Sequence, residues 1–147
     1  MLVRLLYASR AREPFEADML DTIAAVSVER NPRHGITGVL CFGDGCFLQA
    51  LEGDREAVSR LYHRIAVDPR HRDLLLLHYQ EIVAREFAGW AMGHVNTGRV
   101  NAATLLKYFP EACFDPYRIS GDAALALLGE LIAGAAIVAR TSERGRF

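Results

Sequence analysis

The six residues Cys46–Leu51, CFLQAL, constrain the fold more than any other stretch of the chain. Alternation along a strand puts Phe47, Gln49 and Leu51 on one side and Cys46, Leu48 and Ala50 on the other. Both sides are mostly apolar, so this strand belongs inside a sheet that is covered on both faces. It follows a second apolar run, Ile36 to Phe42, across Gly43-Asp44-Gly45, which reads as a hairpin with a three-residue, glycine-bearing loop. Each Å² of apolar sheet left in water would forfeit roughly 25 cal/mol. The rest of the chain must therefore supply two layers of cover.

The flanking patterns supply them. Leu2 to Ala8 reads as a first strand. Pro14 opens a helix whose apolar stripe is Phe15, Met19, Ile23 and Val26, and which stops near Asn31-Pro32. After the hairpin, Asp54 can cap a second helix carrying Val58, Leu61, Tyr62 and Ile65 on one face, closed by Asp68-Pro69. Leu74 to Val83 reads as a strand, and Trp90 to Val95 as a short last one. The order is β-α-β-β-α-β with an added strand: an α+β, ferredoxin-like sheet with two helices on one face. Helical patterns at Ala103 to Phe109 and Asp122 to Arg140 are expected to cover the other face, unless a second subunit does. This divides the chain into a domain over 1–95, a helical extension over 96–140 and a polar, disordered tail over 141–147.

Composition narrows the function classes. Of 147 residues, 51% are hydrophobic and 24% charged, with a net charge of −1, so no basic footprint for nucleic acid or an anionic membrane is present. The most apolar stretch, Ala123 to Ala139, carries Glu130 and is shorter than the about 20 apolar residues that a membrane span needs. Three cysteines, an odd count with no Cys-x-x-Cys pair and no signal-peptide pattern, fit a reduced, cytoplasmic protein. Cys41 and Cys46 flank the hairpin turn and could face one another; as buried small hydrophobes they need no such role. The five histidines show no metal-ligand spacing.

The informative residues are those that break the apolar pattern. Tyr7 and Ser9 share one side of the first strand. Gln49 interrupts the central strand on the side packed by the two long helices, and a buried carboxamide needs partners for two donors and an acceptor. Asn31 ends the first helix. Trp90 and Met92 fall two apart, on one face of the last strand. Singly each has an ordinary explanation: Tyr7 bonding its hydroxyl to backbone, Asn31 capping a helix before Pro32, Gln49 satisfied by a neighbouring peptide. Together they place a redox-capable phenol and two reorientable amides on the helix-covered side of one sheet.

These residues sit in five blocks that stand in order: Tyr7-Ala-Ser9, Asn31-Pro-Arg-His-Gly-Ile-Thr-Gly38, Phe47-Leu-Gln49-Ala-Leu-Glu-Gly53, Asp68-Pro-Arg-His71 and Phe87-Ala-Gly-Trp90-Ala-Met92. In this the chain resembles the BLUF (blue-light using flavin) family from Leu2 to about Val95. The resemblance implies non-covalent FAD between the two long helices, with Tyr7 as photochemical donor and Gln49 as the hydrogen-bond switch, Ser9 beside them. It implies Ile23 and Ile65 on the two sides of the ring, Asn31 at its pyrimidine end and Arg30 on its carbonyl side. Arg64 and Asp68 fall near the ribityl-phosphate, and Trp90 and Met92 form a mobile pair. The implied protein is a photoreceptor and not an enzyme. It would signal through its last strand and C-terminal helices to a separate downstream protein or through a homo-oligomer.

Three rivals share parts of the pattern. An RNA-recognition module needs exposed sheet aromatics and a basic surface. An acylphosphatase-like hydrolase needs a phosphate-cradling loop that is not apparent. A scaffold that had lost its flavin would not need Tyr7, Asn31 and Gln49 together.

Overall fold

The computed structural model describes residues 1–12 and 17–134. Strands β1 (Leu2–Ala11), β2 (Thr37–Gly43), β3 (Cys46–Asp54), β4 (His71–Glu81) and β5 (Gly93–Asn96) form one sheet in the order β4-β1-β3-β2-β5. All neighbours are antiparallel except β2 and β5, which run parallel. Helices α1 (Ala17–Arg30) and α2 (Arg55–Val67) lie on one side; α3 (Ala102–Leu106) and α4 (Gly121–Ala133) follow the last strand. The ferredoxin-like expectation holds.

The central hairpin turns more tightly than its glycines suggest. Gly43 pairs with Cys46 as the last rung of the ladder, leaving a two-residue turn. Asp44 and Gly45 take φ of 49° and 77°, the left-handed pair that a right-twisted hairpin requires. Helix α2 begins as read, with the Asp54 carboxylate accepting from Glu56 N at 3.3 Å. Helix α1 runs into a 3-10 turn, Asn31–His34, which ends at Gly35 with φ 66°. Pro14 and Phe15, at the expected start of α1, lie outside the described residues.

Parity along β3 divides the core in two. Phe47 and Leu51 join Tyr7, Leu40, Leu20, Val58 and Leu61 under α1 and α2. Cys46, Leu48 and Ala50 join Phe109, Phe114, Leu127, Leu128 and Leu131 on the opposite side. The C-terminal elements therefore cover the second face. Helix α4 approaches the sheet so closely that a β-carbon on Gly121 would lie 2.2 Å from Leu77 O. Lys107 Nζ and Tyr108 Oη both donate to Glu130, at 2.8 and 2.7 Å, and clamp α4 to the end of α3.

Some boundaries move. β1 extends to Ala11, and β4 opens at His71, before Leu74, and ends at Glu81. α3 is shorter than Ala103 to Phe109, and α4 is described only to Ala133, so the expected helix up to Arg140 and the tail over 141–147 pass outside the described residues. The largest correction concerns the last strand. β5 begins at Gly93, so Trp90 and Met92 precede it, and they do not share a face: Met92 packs into the α1/α2 core and Trp90 against the opposite one. The reason is how the backbone before β5 is satisfied. The buried Glu52 carboxylate accepts from Glu86 N at 3.0 Å and Phe87 N at 2.7 Å, while also pairing with Arg4 Nε at 2.9 Å. Trp90 O accepts from Gly38 N at 3.0 Å. These bonds anchor the backbone over residues 86–90 outside the β2–β5 ladder, which begins only at Gly93, so strand alternation does not reach back to Trp90.

The cysteines are free thiols. Cys41 stands opposite Leu48 and Cys46 opposite Gly43, so the two do not face each other, and burial pushes the Cys41 thiol far above its usual range. No described helix is long and apolar enough to cross a membrane. The described residues contain no cluster of metal-ligating side chains.

Candidate functional site

A cleft separates α1 from α2 above the middle of the sheet. Its floor is Tyr7, Leu40 and Gln49. One wall is the α1 stripe of Ile23, Val26, Ser27 and Arg30, and the other is Leu61, Arg64 and Ile65 of α2. Asp68, Arg70 and His71, where α2 hands over to β4, close one end. Helical spacing aims each wall inward, and the pleat of β1 and β3 raises both floor residues to the same side.

Tyr7 and Gln49 stand opposite each other in the β1–β3 ladder. The fully buried Tyr7 hydroxyl donates to Gln49 Oε1, and Gln49 Nε2 donates to Met92 Sδ at 3.5 Å. Burial pushes the phenol well above its usual range, with Tyr62 and Asp68 adding to the effect, so Tyr7 keeps its proton. The carboxamide thus links the cleft floor to the segment leading into β5.

Ser9 Oγ lies 2.8 Å from His71 Nδ1, and the His71 ring packs 4.7 Å from that of Phe47. Burial lowers His71 to about 4 against the opposing pull of Asp68, so the imidazole is neutral near pH 7. Asp68 is spent on Arg70, whose backbone N and guanidinium hydrogen-bond its carboxylate at 2.8 and 2.7 Å and hold it below the usual carboxylate range. Arg30 is different. Its Nε is buried without a hydrogen-bond partner, and burial, with Arg64 and Arg70 nearby, lowers its pKa. A cleft whose walls carry Ile23, Val26, Leu61 and Ile65 beside Arg30 and Arg64, with Tyr7 and Gln49 in its floor and a buried Arg30 Nε lacking a partner, fits a flat, partly apolar ligand bearing carbonyl or phosphate oxygens.

Of the residues singled out from sequence, the cleft gathers Tyr7, Ile23, Arg30, Gln49, Arg64, Ile65 and Asp68. Ser9 and Met92 touch cleft residues from behind. Asn31 is not part of the lining: its buried amide donates to Ala91 O at 2.8 Å and ties the end of α1 to the segment before β5. Trp90 lies on the far side of the sheet. Sequence reasoning passed over His71 and Arg70, although both stood inside the quoted Asp68-Pro-Arg-His71 block. A polar run breaking off directly into a leucine-rich strand was the available signal.

The family model for BLUF, sensors of blue-light using FAD, matches residues 2–93. The chain belongs to the BLUF family. BLUF domains bind flavin and sense blue light; the matched segment is a sensor module rather than a catalytic one. Among curated proteins it is 37% identical over 92 residues to the photoactivated adenylate cyclase subunit beta of Euglena longa, covering 62% of this chain and 11% of that protein. It is 33% identical over 87 residues to the blue light- and temperature-regulated antirepressor BluF of Escherichia coli K12, covering 59% of this chain and 22% of that one. The chain thus spans about a tenth of the cyclase subunit it matches and about a fifth of the antirepressor. Two solved structures match almost end to end. The photo-activated state of BlsA superposes with a TM-score of 0.80 at 32% identity, covering 97% of this chain and 99% of that one. The dark state of the BLUF protein BlrB gives 0.75 at 34%, covering 91% and 96%.

Proposed function

We propose that this BLUF domain is a blue-light receptor that holds FAD in the α1/α2 cleft and reports illumination through the Tyr7–Gln49–Met92 chain. That chain of contacts is the observation that carries the reading: it connects the cleft floor to the segment before β5. Ile23 and Ile65 would flank the flavin ring, Arg30 would meet its oxygen-bearing side, and Arg64 with the Asp68–Arg70 pair would stand near the ribityl-phosphate end. Asn31, outside the lining, would serve the pyrimidine end of the ring indirectly, by tying the end of α1 to Ala91 O. When bound, the flavin supplies blue-light absorption and, once excited, an oxidant able to draw an electron from a phenol.

The chain's residues do the rest. Tyr7 keeps its proton in the dark and already directs it at Gln49 Oε1. A phenol that has lost an electron is a strong acid, so the proton follows that bond. Gln49 can answer by rotating or by changing tautomer, because donor and acceptor share one carboxamide. Either way its contact with Met92 changes. One rearranged hydrogen bond is worth about 0.5–1.5 kcal/mol, enough to shift a balanced equilibrium several-fold. Residues 1–95 would form the sensor and 96–140 the output. The signal passes from them to a downstream protein or a second copy of the chain.

The test is optical. The purified chain should carry FAD, blue light should move its absorption slightly to the red, and darkness should reverse the change. A colourless chain that takes up no added FAD would overturn the reading.

A further inference from the structure

The row of paired residues that carries Tyr7 and Gln49 continues across the sheet to Leu40 on β2 and then to His94 on β5. All four therefore point toward α1 and α2. His94 is 6% exposed, and its Nδ1 is buried without a partner. Its Nε2 lies 3.0 Å from Asp21 Oδ1 on α1, two residues before Ile23 of the cleft wall. His94 also follows Met92, the thioether on Gln49, by two residues.

A ring buried with one unpaired nitrogen is a poorer core residue than leucine would be. Packing alone does not account for histidine here; the bond to Asp21 does. β5 is only four residues long and pairs with β2 alone, in parallel, so its backbone has a single strand partner. Asp21 is largely exposed, which keeps the bond weak enough to open.

We propose that His94 and Asp21 are a positioning pair that latches β5 to the helical wall of the cleft and keeps β5 closed in the dark. The latch would open when Gln49 and Met92 rearrange. The proposal rests on the photoreceptor reading for the trigger, but the latch itself has a test in darkness.

That test is amide hydrogen exchange over residues 93–96 in the FAD-loaded full chain, in the dark and under blue light. It compares the native chain with Asp21→Ala, His94→Leu and the double variant. Light should raise exchange in the native chain. Either single substitution should raise dark exchange several-fold toward the lit level without changing the size of the red shift, and the double should add nothing further. A histidine with a merely structural role predicts the opposite for His94→Leu, unchanged or slower exchange, because leucine removes the unpaired nitrogen. Native-like dark exchange in both single variants, or additive effects, would overturn the latch. A native chain without a red shift would fail the photoreceptor reading instead, and its dark exchange would still decide the latch.

Discussion

Gln49 Nε2 rests on Met92 Sδ at 3.5 Å while Gln49 Oε1 accepts the Tyr7 hydroxyl, so one carboxamide is held by a strong partner and a weak one. A thioether is a poor acceptor. A disturbance at this amide therefore releases Met92 at little cost, and Met92 stands immediately before β5. The asymmetry gives the switch a direction.

Tyr7→Phe should retain the flavin and lose the light-induced red shift. It also strips Gln49 Oε1 of its buried donor, which should cost about 1–3 kcal/mol in denaturant unfolding. Gln49→Leu should lose the shift as well. A normal photocycle in the Tyr7→Phe chain would remove the phenol from the mechanism.

Asn31→Ala deletes the donor to Ala91 O. Flavin retention should weaken, measured as the flavin-to-protein absorbance ratio after dialysis, and amide exchange should rise around residue 91. Unchanged occupancy would confine Asn31 to bracing the segment before β5.

Glu52→Ala should be the most damaging of these substitutions, by about 3–5 kcal/mol in chemical denaturation. It leaves buried Arg4 short of its main counter-charge and two backbone N–H groups, those of Glu86 and Phe87, without their acceptor. A loss below about 1 kcal/mol would mean that the segment before β5 is held by other contacts.

His71 predicts a pH dependence. Folded, it titrates at about 4 against an ordinary 6.5, so between those values the unfolded chain binds more protons. Stability should fall as pH drops through that window, by about 3 kcal/mol once it is crossed. Asp68, held below its ordinary 3.8, loses its contribution only below the window, so the two effects separate. Urea midpoints measured from pH 7 to 4 should show this slope, and His71→Gln should flatten it. Equal slopes in both chains would clear His71.

Period and parity reach only so far along this chain. Alternation on Cys46–Leu51 determined that Gln49 shares a side with Phe47 and that both sheet faces are covered, because a pleat admits just two directions and apolar residues filled both. Three- and four-residue spacing likewise aimed Ile23 and Ile65 at one another across the cleft. Local chemistry also set the Asp54 cap and the stop at Asn31-Pro32.

Long-range partners decided the rest. Trp90 and Met92 looked like neighbours on a strand, but Glu52 and Gly38 anchor the backbone leading to them, the ladder starts only at Gly93, and the two side chains lie on opposite sides of the sheet. Asn31 looked like a cap or a ligand contact, and its partner lies 60 residues away at Ala91. His71 drew no notice until Ser9 stood beside it. Secondary structure follows from local spacing, because burying one face of an element is a local requirement. The partner of a buried polar group does not, since it is whichever donor or acceptor the assembled fold brings within about 3 Å.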